Sequence, residues 1–188
     1  MNEMKAAMVV IDGPKGAGKS TICQQVVARL TSIGIKAEYH KHIRSTDGDE
    51  FKAMFRLIMA QVDSNNILVV DRLVMTEWVM GIWTDRRNPT LLTEETILLD
   101  KVMASYNIPH IILGASIDIL KSRLASRSEA DRQKVDMPWE VITPLWSAAR
   151  GLSQSAFWYP NEKPEDGDWI INQILETVKK SSQINTGR

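Results

Sequence analysis

The stretch Gly13-Pro-Lys-Gly-Ala-Gly-Lys-Ser20 sets two glycines, a lysine and a hydroxyl in the spacing G-x-x-x-x-G-K-[ST]. Each residue type there has a chemical use. Glycines let successive backbone N–H groups turn inward around phosphate oxygens, a lysine reaches the β and γ oxygens, and a hydroxyl ligates Mg²⁺. Gly13, Pro14, Lys15, Gly16, Ala17, Gly18, Lys19, Ser20 and Thr21 therefore form a candidate phosphate cradle. From average residue usage, a chance match in a chain of this length has odds of roughly 1 in 100. A glycine-rich linking turn would explain the glycines, but not a lysine at a helix N-terminus, where the dipole disfavours cations.

A second chemical element lies 52 residues beyond Lys19, where the apolar run ILVV ends in Asp71-Arg72. In a parallel sheet the carboxyl ends of the strands line the ligand crevice, so this pair faces the loop after the first strand. There Asp71 would support Mg²⁺ through water, and Arg72 would clamp an acceptor phosphate or the group in transfer. Asp12, just before the cradle, is a candidate general base or a partner of Arg72. Asp47 is a second candidate base or a helix cap.

These residues need a scaffold that brings strand ends together. Apolar runs suited to strands covered on both faces occur at Ala6 to Ile11, Ile35 to Tyr39, Ile67 to Val70, His110 to Leu113 and Ala156 to Tyr159. Helical patterns fall at Ser20 to Ile33, Asp49 to Gln61, Val74 to Trp83, Thr93 to Tyr106, Ser116 to Ser126 and Trp169 to Lys180, with Thr93 and Ser116 as helix starts. The 161–168 segment, NEKPEDGD, is a polar turn, and 181–188 is a frayed tail. Alternating strands and helices predict an α/β fold: a parallel sheet of about five strands, helices on both faces, right-handed crossovers and one domain over 1–188.

With 23 basic and 23 acidic side chains, the formal charge of the 188-residue chain is zero, so any grip on a polyanion must be local. One cysteine, Cys23, excludes an internal disulfide and a cysteine metal cage, and its expected role is helix packing. No apolar run suits a secretory signal or a membrane span, which predicts a cytoplasmic protein without a membrane partner. Of the six tryptophans, Trp78 and Trp83 would wall an acceptor pocket or a dimer face, and the others are expected in the core. His40 and His42 read as exposed strand-end residues.

Taken together, GPKGAGKST followed by VVDRLVMTEWVMG resembles the thymidylate kinase and deoxynucleoside kinase group, in which a P-loop is followed by a strand ending in Asp-Arg or Glu-Arg. HIILGASIDILKSRLASR is similar to that group's strand, helix and start of an arginine-bearing lid. The resemblance implies a three-layer P-loop kinase fold, ATP and Mg²⁺ as cofactors, a lid over about 127–136 and the possibility of a homodimer through the helix after Asp71-Arg72. From Lys121 to Lys134 there are five basic residues and two acids, and the resemblance makes Arg123, Arg127 and Arg132 candidates for closing over the donor. It likewise makes Arg44 the acceptor-phosphate arginine, with Phe51, Phe55 and Arg56 on a helix able to face a nucleobase. By spacing alone the two phenylalanines suit the core equally well.

Two departures leave the acceptor open. Lys15 stands where thymidylate kinases carry an acid, and the span from P-loop to Asp71-Arg72 is about one helix short. The expected acceptor is a nucleotide or nucleoside; the alternatives are a hydroxyl on a modified base or a nucleic acid and, from another class, a nucleotide-binding switch. An acceptor clamp such as Asp71-Arg72 has no use in a switch.

Overall fold

The computed structural model describes residues 8–42, 49–62, 64–85, 87–126 and 139–183, with side chains as far as 178. Arg44, Asp47, Arg127, Arg132 and the expected lid lie outside the described residues. Five strands, β1 (Met8–Asp12), β2 (Ala37–Lys41), β3 (Ile67–Asp71), β4 (His110–Gly114) and β5 (Phe157–Pro160), make one parallel sheet in the order β2-β3-β1-β4-β5. Among the described residues there are seven helices: α1 (Lys19–Ser32), α2 (Glu50–Gln61), α3 (Val74–Trp83), α4 (Pro89–Ser105), α5 (Ile117–Ala125), α6 (Trp139–Leu152) and α7 (Pro164–Gln183).

The period-two alternation of β1 explains the three layers. Met8 and Val10 point into one core with Met54 and Ile58 of α2, Trp78 of α3, Leu99 of α4 and Trp146 of α6. Val9 and Ile11 point into the other, with Ile22, Cys23 and Val26 of α1, Leu120 of α5 and Ile170 and Ile174 of α7. Each such side chain contributes roughly 1.5–3 kcal/mol through burial, so the central strand is sandwiched between two apolar layers. Cys23 is buried in α1, consistent with a packing role. No helix among the described residues is long and apolar enough to cross a membrane.

Several boundaries differ from expectation, each for a local reason. α4 starts at Pro89 because the Asn88 side chain accepts from Thr90 N (3.0 Å) and Leu91 N (3.1 Å) and proline suits the first helical position. Thr93 is thus inside the helix, its hydroxyl donating to Pro89 O at 2.7 Å. β2 and β5 are displaced toward the C-terminus from the apolar runs that suggested them, because ladder pairing with β3 and β4 sets their limits. The last helix begins five residues early: Asp166 Oδ2 accepts from Glu162 N and Lys163 N, converting half of the polar turn into a capped first turn. It also runs on to Gln183, through the first residues of the expected tail. No element was assigned where α6 stands, since Pro144 interrupts its pattern; burial of Ile142, Trp146 and Ala149 holds the helix across that proline. Trp169, expected in the core, is half exposed on α7.

The cap that starts α4 gives a direct test. Asn88→Ala should lower stability by about 1 kcal/mol in urea denaturation, with an unchanged m-value.

Candidate active site

β1 delivers the candidate phosphate cradle. Gly13 has φ 141° and Gly18 has φ 87°, values that an L side chain rarely adopts. Space forbids a side chain as well: a Cβ on Gly13 would overlap the Leu113 carbonyl oxygen, and one on Gly18 would meet Asn161 Nδ2 at 2.6 Å. Gly18 caps α1, so the N–H groups of the helix's first turn open toward the loop. The rear of the loop is tied to the sheet's β5 edge, where Asn161 Nδ2 donates to Ala17 O at 2.7 Å. Arg123 of α5 donates to Asn161 O at 2.8 Å and to Gly16 O at 3.4 Å, so of the expected lid arginines the described one braces the loop. Thr21 is exposed on the first turn of α1.

Lys19 is buried, and its ammonium donates to Pro14 O at 2.7 Å. Burial first, and then the nearby Arg72 cation, draw its pKa down to about 8, with Asp71 and Asp12 partly opposing. A cation held in so dry a place gains strongly from an arriving polyanion.

The Ser20 hydroxyl donates to Asp71 Oδ2 at 2.5 Å, and Tyr39 Oη donates to the same oxygen at 3.0 Å. Asp71 Oδ1 is buried and has no hydrogen-bond partner among the described residues; Arg72 Nε stands 3.8 Å away. A hydroxyl and a carboxylate with an unsatisfied oxygen, side by side at the end of a phosphate loop, fit a hard divalent cation such as Mg²⁺. Among the described residues there is no group of three or more His, Cys, Asp or Glu that could hold a metal ion.

Asp12 does not have the freedom a general base needs. It is fully buried and accepts from Leu73 N (2.9 Å), Met75 N (3.1 Å), Thr76 N (3.2 Å), Thr76 Oγ1 (2.6 Å) and His110 Nε2 (3.0 Å). Burial alone would raise its pKa, but the His110 hydrogen bond and charge, then Thr76 and the Leu73 N–H, pull it to about 2. Five donors leave no lone pair for proton abstraction, so Asp12 is a structural anion, and the partner proposed for it from sequence, Arg72, leans instead toward Asp71.

On the acceptor side, Phe51 packs against the core while Phe55 is exposed, their rings stacked at 6.2 Å; Arg56 is exposed on α2. Trp78 is buried, donating Nε1–H to Thr93 Oγ1 at 3.0 Å, and Trp83 packs partly against the same core. His42, expected to be exposed, has only 11% of its side chain accessible, and its Nε2–H donates to Glu50 Oε2 at 3.2 Å. Its backbone N–H donates to Asp71 O, so the pair stands beside Asp71-Arg72.

Tyr39, His42, Glu50, His110 and Asn161 had no place in the sequence motif. One sign was readable for His110: a titratable side chain opening an otherwise apolar strand run. The others come to the site from β2, α2 and the end of β5, which only the sheet order brings together.

The fold and loop define a class: the chain has the three-layer P-loop kinase fold. Neither a scan of family models nor a search of curated proteins finds a match. Among solved structures, polyphosphate kinase 2 from Arthrobacter aurescens TC1 is similar at TM-score 0.68 and 18% identity, over 92% of this chain and 68% of that one. Thymidylate kinase from Ehrlichia chaffeensis is similar at TM-score 0.53 and 10% identity, over 91% of this chain and 97% of that one.

The buried charges predict a pH dependence of stability. Hydrogen bonds to Asp100 and Asp12 overcome the burial penalty and raise His110 from 6.5 to about 9, so its contribution is complete below pH 6.5 and is lost as pH rises toward 9. Lys19, lowered to about 8, opposes this only above pH 8. Stability should therefore fall by on the order of 2 kcal/mol between pH 6.5 and 8, at about one proton's slope, in urea titrations; His110→Gln should flatten that limb.

Proposed function

We propose that the chain is a Mg²⁺- and ATP-dependent kinase that moves the γ-phosphoryl group to a nucleotide or nucleoside-type acceptor. The observation that carries this reading is the convergence of Lys19, Ser20, Asp71 and Arg72 at the carboxyl ends of β1 and β3. The residues from Gly13 to Thr21 wrap the donor phosphates with backbone N–H groups, and Lys19 exchanges Pro14 O for the β and γ oxygens. When bound, Mg²⁺ neutralises charge shared between those oxygens, held by Ser20 and, through water, by Asp71. Arg72 and Arg44 orient the acceptor, with Phe55 and Arg56 toward its base. Arg127 and Arg132 close from the lid. The attacking acceptor oxygen forms a bond to the γ phosphorus as the bond to the β–γ bridging oxygen breaks, leaving ADP. A monophosphate oxygen needs no base for this, so positioning and charge neutralisation suffice.

A coupled ADP-release assay with Mg-ATP against deoxynucleosides, their monophosphates and base-modified oligonucleotides tests this reading, and inorganic polyphosphate replaces ATP in a parallel series. Turnover with ATP on a member of the panel is the expected outcome, and Lys19→Ala should cut kcat by about 10²–10³-fold. A Lys19→Ala protein with full activity would sink the assignment, while ATP binding without transfer to any acceptor would favour a nucleotide switch.

One observation favours a second reading, in which the acceptor is a hydroxyl on a nucleoside or on a base in a nucleic acid. His42 Nε2 is paired with the buried Glu50 Oε2 at 3.2 Å, and in the tautomer that donates there Nδ1 would be the nitrogen able to take a hydroxyl proton. On a hydroxyl acceptor, His42→Gln should lower kcat by about 10²–10⁴-fold. A loss below threefold on the acceptor that turns over would return the assignment to a monophosphate.

A further inference from the structure

α3 begins immediately after Arg72, yet it has no cap of its own. Leu73, at the cap position, is an apolar residue whose side chain makes no hydrogen bond to the helix. The missing cap comes from another strand: Asp12 of β1 takes the N–H groups of Leu73, Met75 and Thr76. This matters because Arg72 itself is strained. Its φ of 72° is left-handed, which for a residue with a long side chain costs on the order of 1–2 kcal/mol and persists only where the surroundings impose it. Two restraints impose it here, one on each side: Arg72 N–H donates to Ile11 O at 3.0 Å, and the next N–H is held by Asp12.

Asp12 is in turn oriented by His110, the first residue of β4. His110 is fully buried, with Nε2 3.0 Å from Asp12 Oδ2 and Nδ1 3.5 Å from Asp100 Oδ1. With a carboxylate at each ring nitrogen, both nitrogens serve as donors and the ring is an imidazolium. Among the described residues, Asp12 and Asp100 are the charged groups that act on it. Asp100, on α4, anchors the turn after α6: Oδ1 accepts from Ser153 Oγ (2.6 Å) and Ser155 Oγ (2.7 Å), and Oδ2 from Gln154 N (3.1 Å). The connection is continuous from the 153–155 turn to the backbone of Arg72, with no exposed member between Asp100 and Asp12.

We propose that His110 is a positioning residue for phosphoryl transfer: clasped between Asp12 and Asp100, it fixes the Asp12 carboxylate that caps α3 and so holds the strained Arg72 backbone in its reactive place. His110 touches neither donor nor acceptor. This rests on the reading of Arg72 as the acceptor-orienting cation. Loss of His110 leaves Asp12 with four donors and without its buried counter-charge, so the α3 cap loosens and Arg72 relaxes, while the phosphate loop is still held by Gly13, Asn161 and Arg123.

Amide hydrogen exchange, which needs no acceptor, tests the coupling. In His110→Gln, the amides of Leu73, Met75 and Thr76 should exchange at least tenfold faster after correction for intrinsic rates, while those of Ile22 to Leu30 in α1 and the affinity for Mg-ATP change less than twofold. Asp100→Asn, which keeps the His110–Asp12 contact, should give a smaller acceleration at the same amides and serves if His110→Gln does not fold. Unchanged protection at 73–76, or protection lost uniformly through the fold, would overturn the proposal. With the acceptor that turns over in the panel above, kcat for His110→Gln should fall at least tenfold while KM for Mg-ATP stays within twofold. An equal loss in both terms, or an unchanged kcat, would also overturn it. If no acceptor turns over, the kinase reading fails, whereas the exchange data still decide the coupling to the Arg72 backbone.

Discussion

A carboxylate without water is expensive unless its lone pairs are filled, and the Asp12 carboxylate is a buried charge around which the carboxyl edge of this sheet is organised. Its five donors come from the start of α3 and from β4, so satisfying one anion joins the central strand to the helix that follows Asp71-Arg72 and to the strand on its other side. Among the described residues, Asp12 and Asp100 are the charged groups that act on His110, and the positive end of the α3 dipole favours the Asp12 carboxylate. Removing one partner would leave the remaining charges less well compensated in a dry place, at a cost that depends on which contact is lost.

The opposite edge of the phosphate loop has the reverse polarity. Lys19 is buried close enough to Arg72 for the two cations to disfavour one another, and its ammonium is satisfied at rest by a backbone carbonyl rather than by an anion. Asp71 Oδ1 has no hydrogen bond among the described residues, and Arg72 Nε stands 3.8 Å from it. Burial and the Arg72 cation disfavour the charged form of Lys19, while Asp71 and Asp12 partly offset them.

Sheet order decides which residues share this edge. With β1 between β3 and β4, the loop after β1 lies between the end of β3, which supplies Asp71, and the end of β4, whose Leu113 carbonyl excludes a side chain at Gly13. β2, next to β3, contributes Tyr39 to Asp71 and His42 beside it. β5, on the far side, sends Asn161 back to the rear of the loop. The site is thus braced from both flanks by strands that are remote in sequence.

The sequence alone determined the phosphate loop, the Asp71-Arg72 element and the parallel α/β layering, because each is local: glycine positions set backbone freedom, and short apolar runs mark strands covered on both faces. Helix starts were legible where a cap sits beside its helix. They were misread at Asn88, five residues ahead of the better-looking Thr93, and at the turn before α7, where Asp166 caps from inside the helix. What the tertiary structure decided was the partner of every buried charge. Nothing in the run before the loop tells that Asp12 caps a helix 61 residues away, nor that a histidine 98 residues away completes it. A carboxylate next to a phosphate loop has the same local sequence whether it is a base or a cap. Only the count of donors that the folded chain places around it separates the two roles.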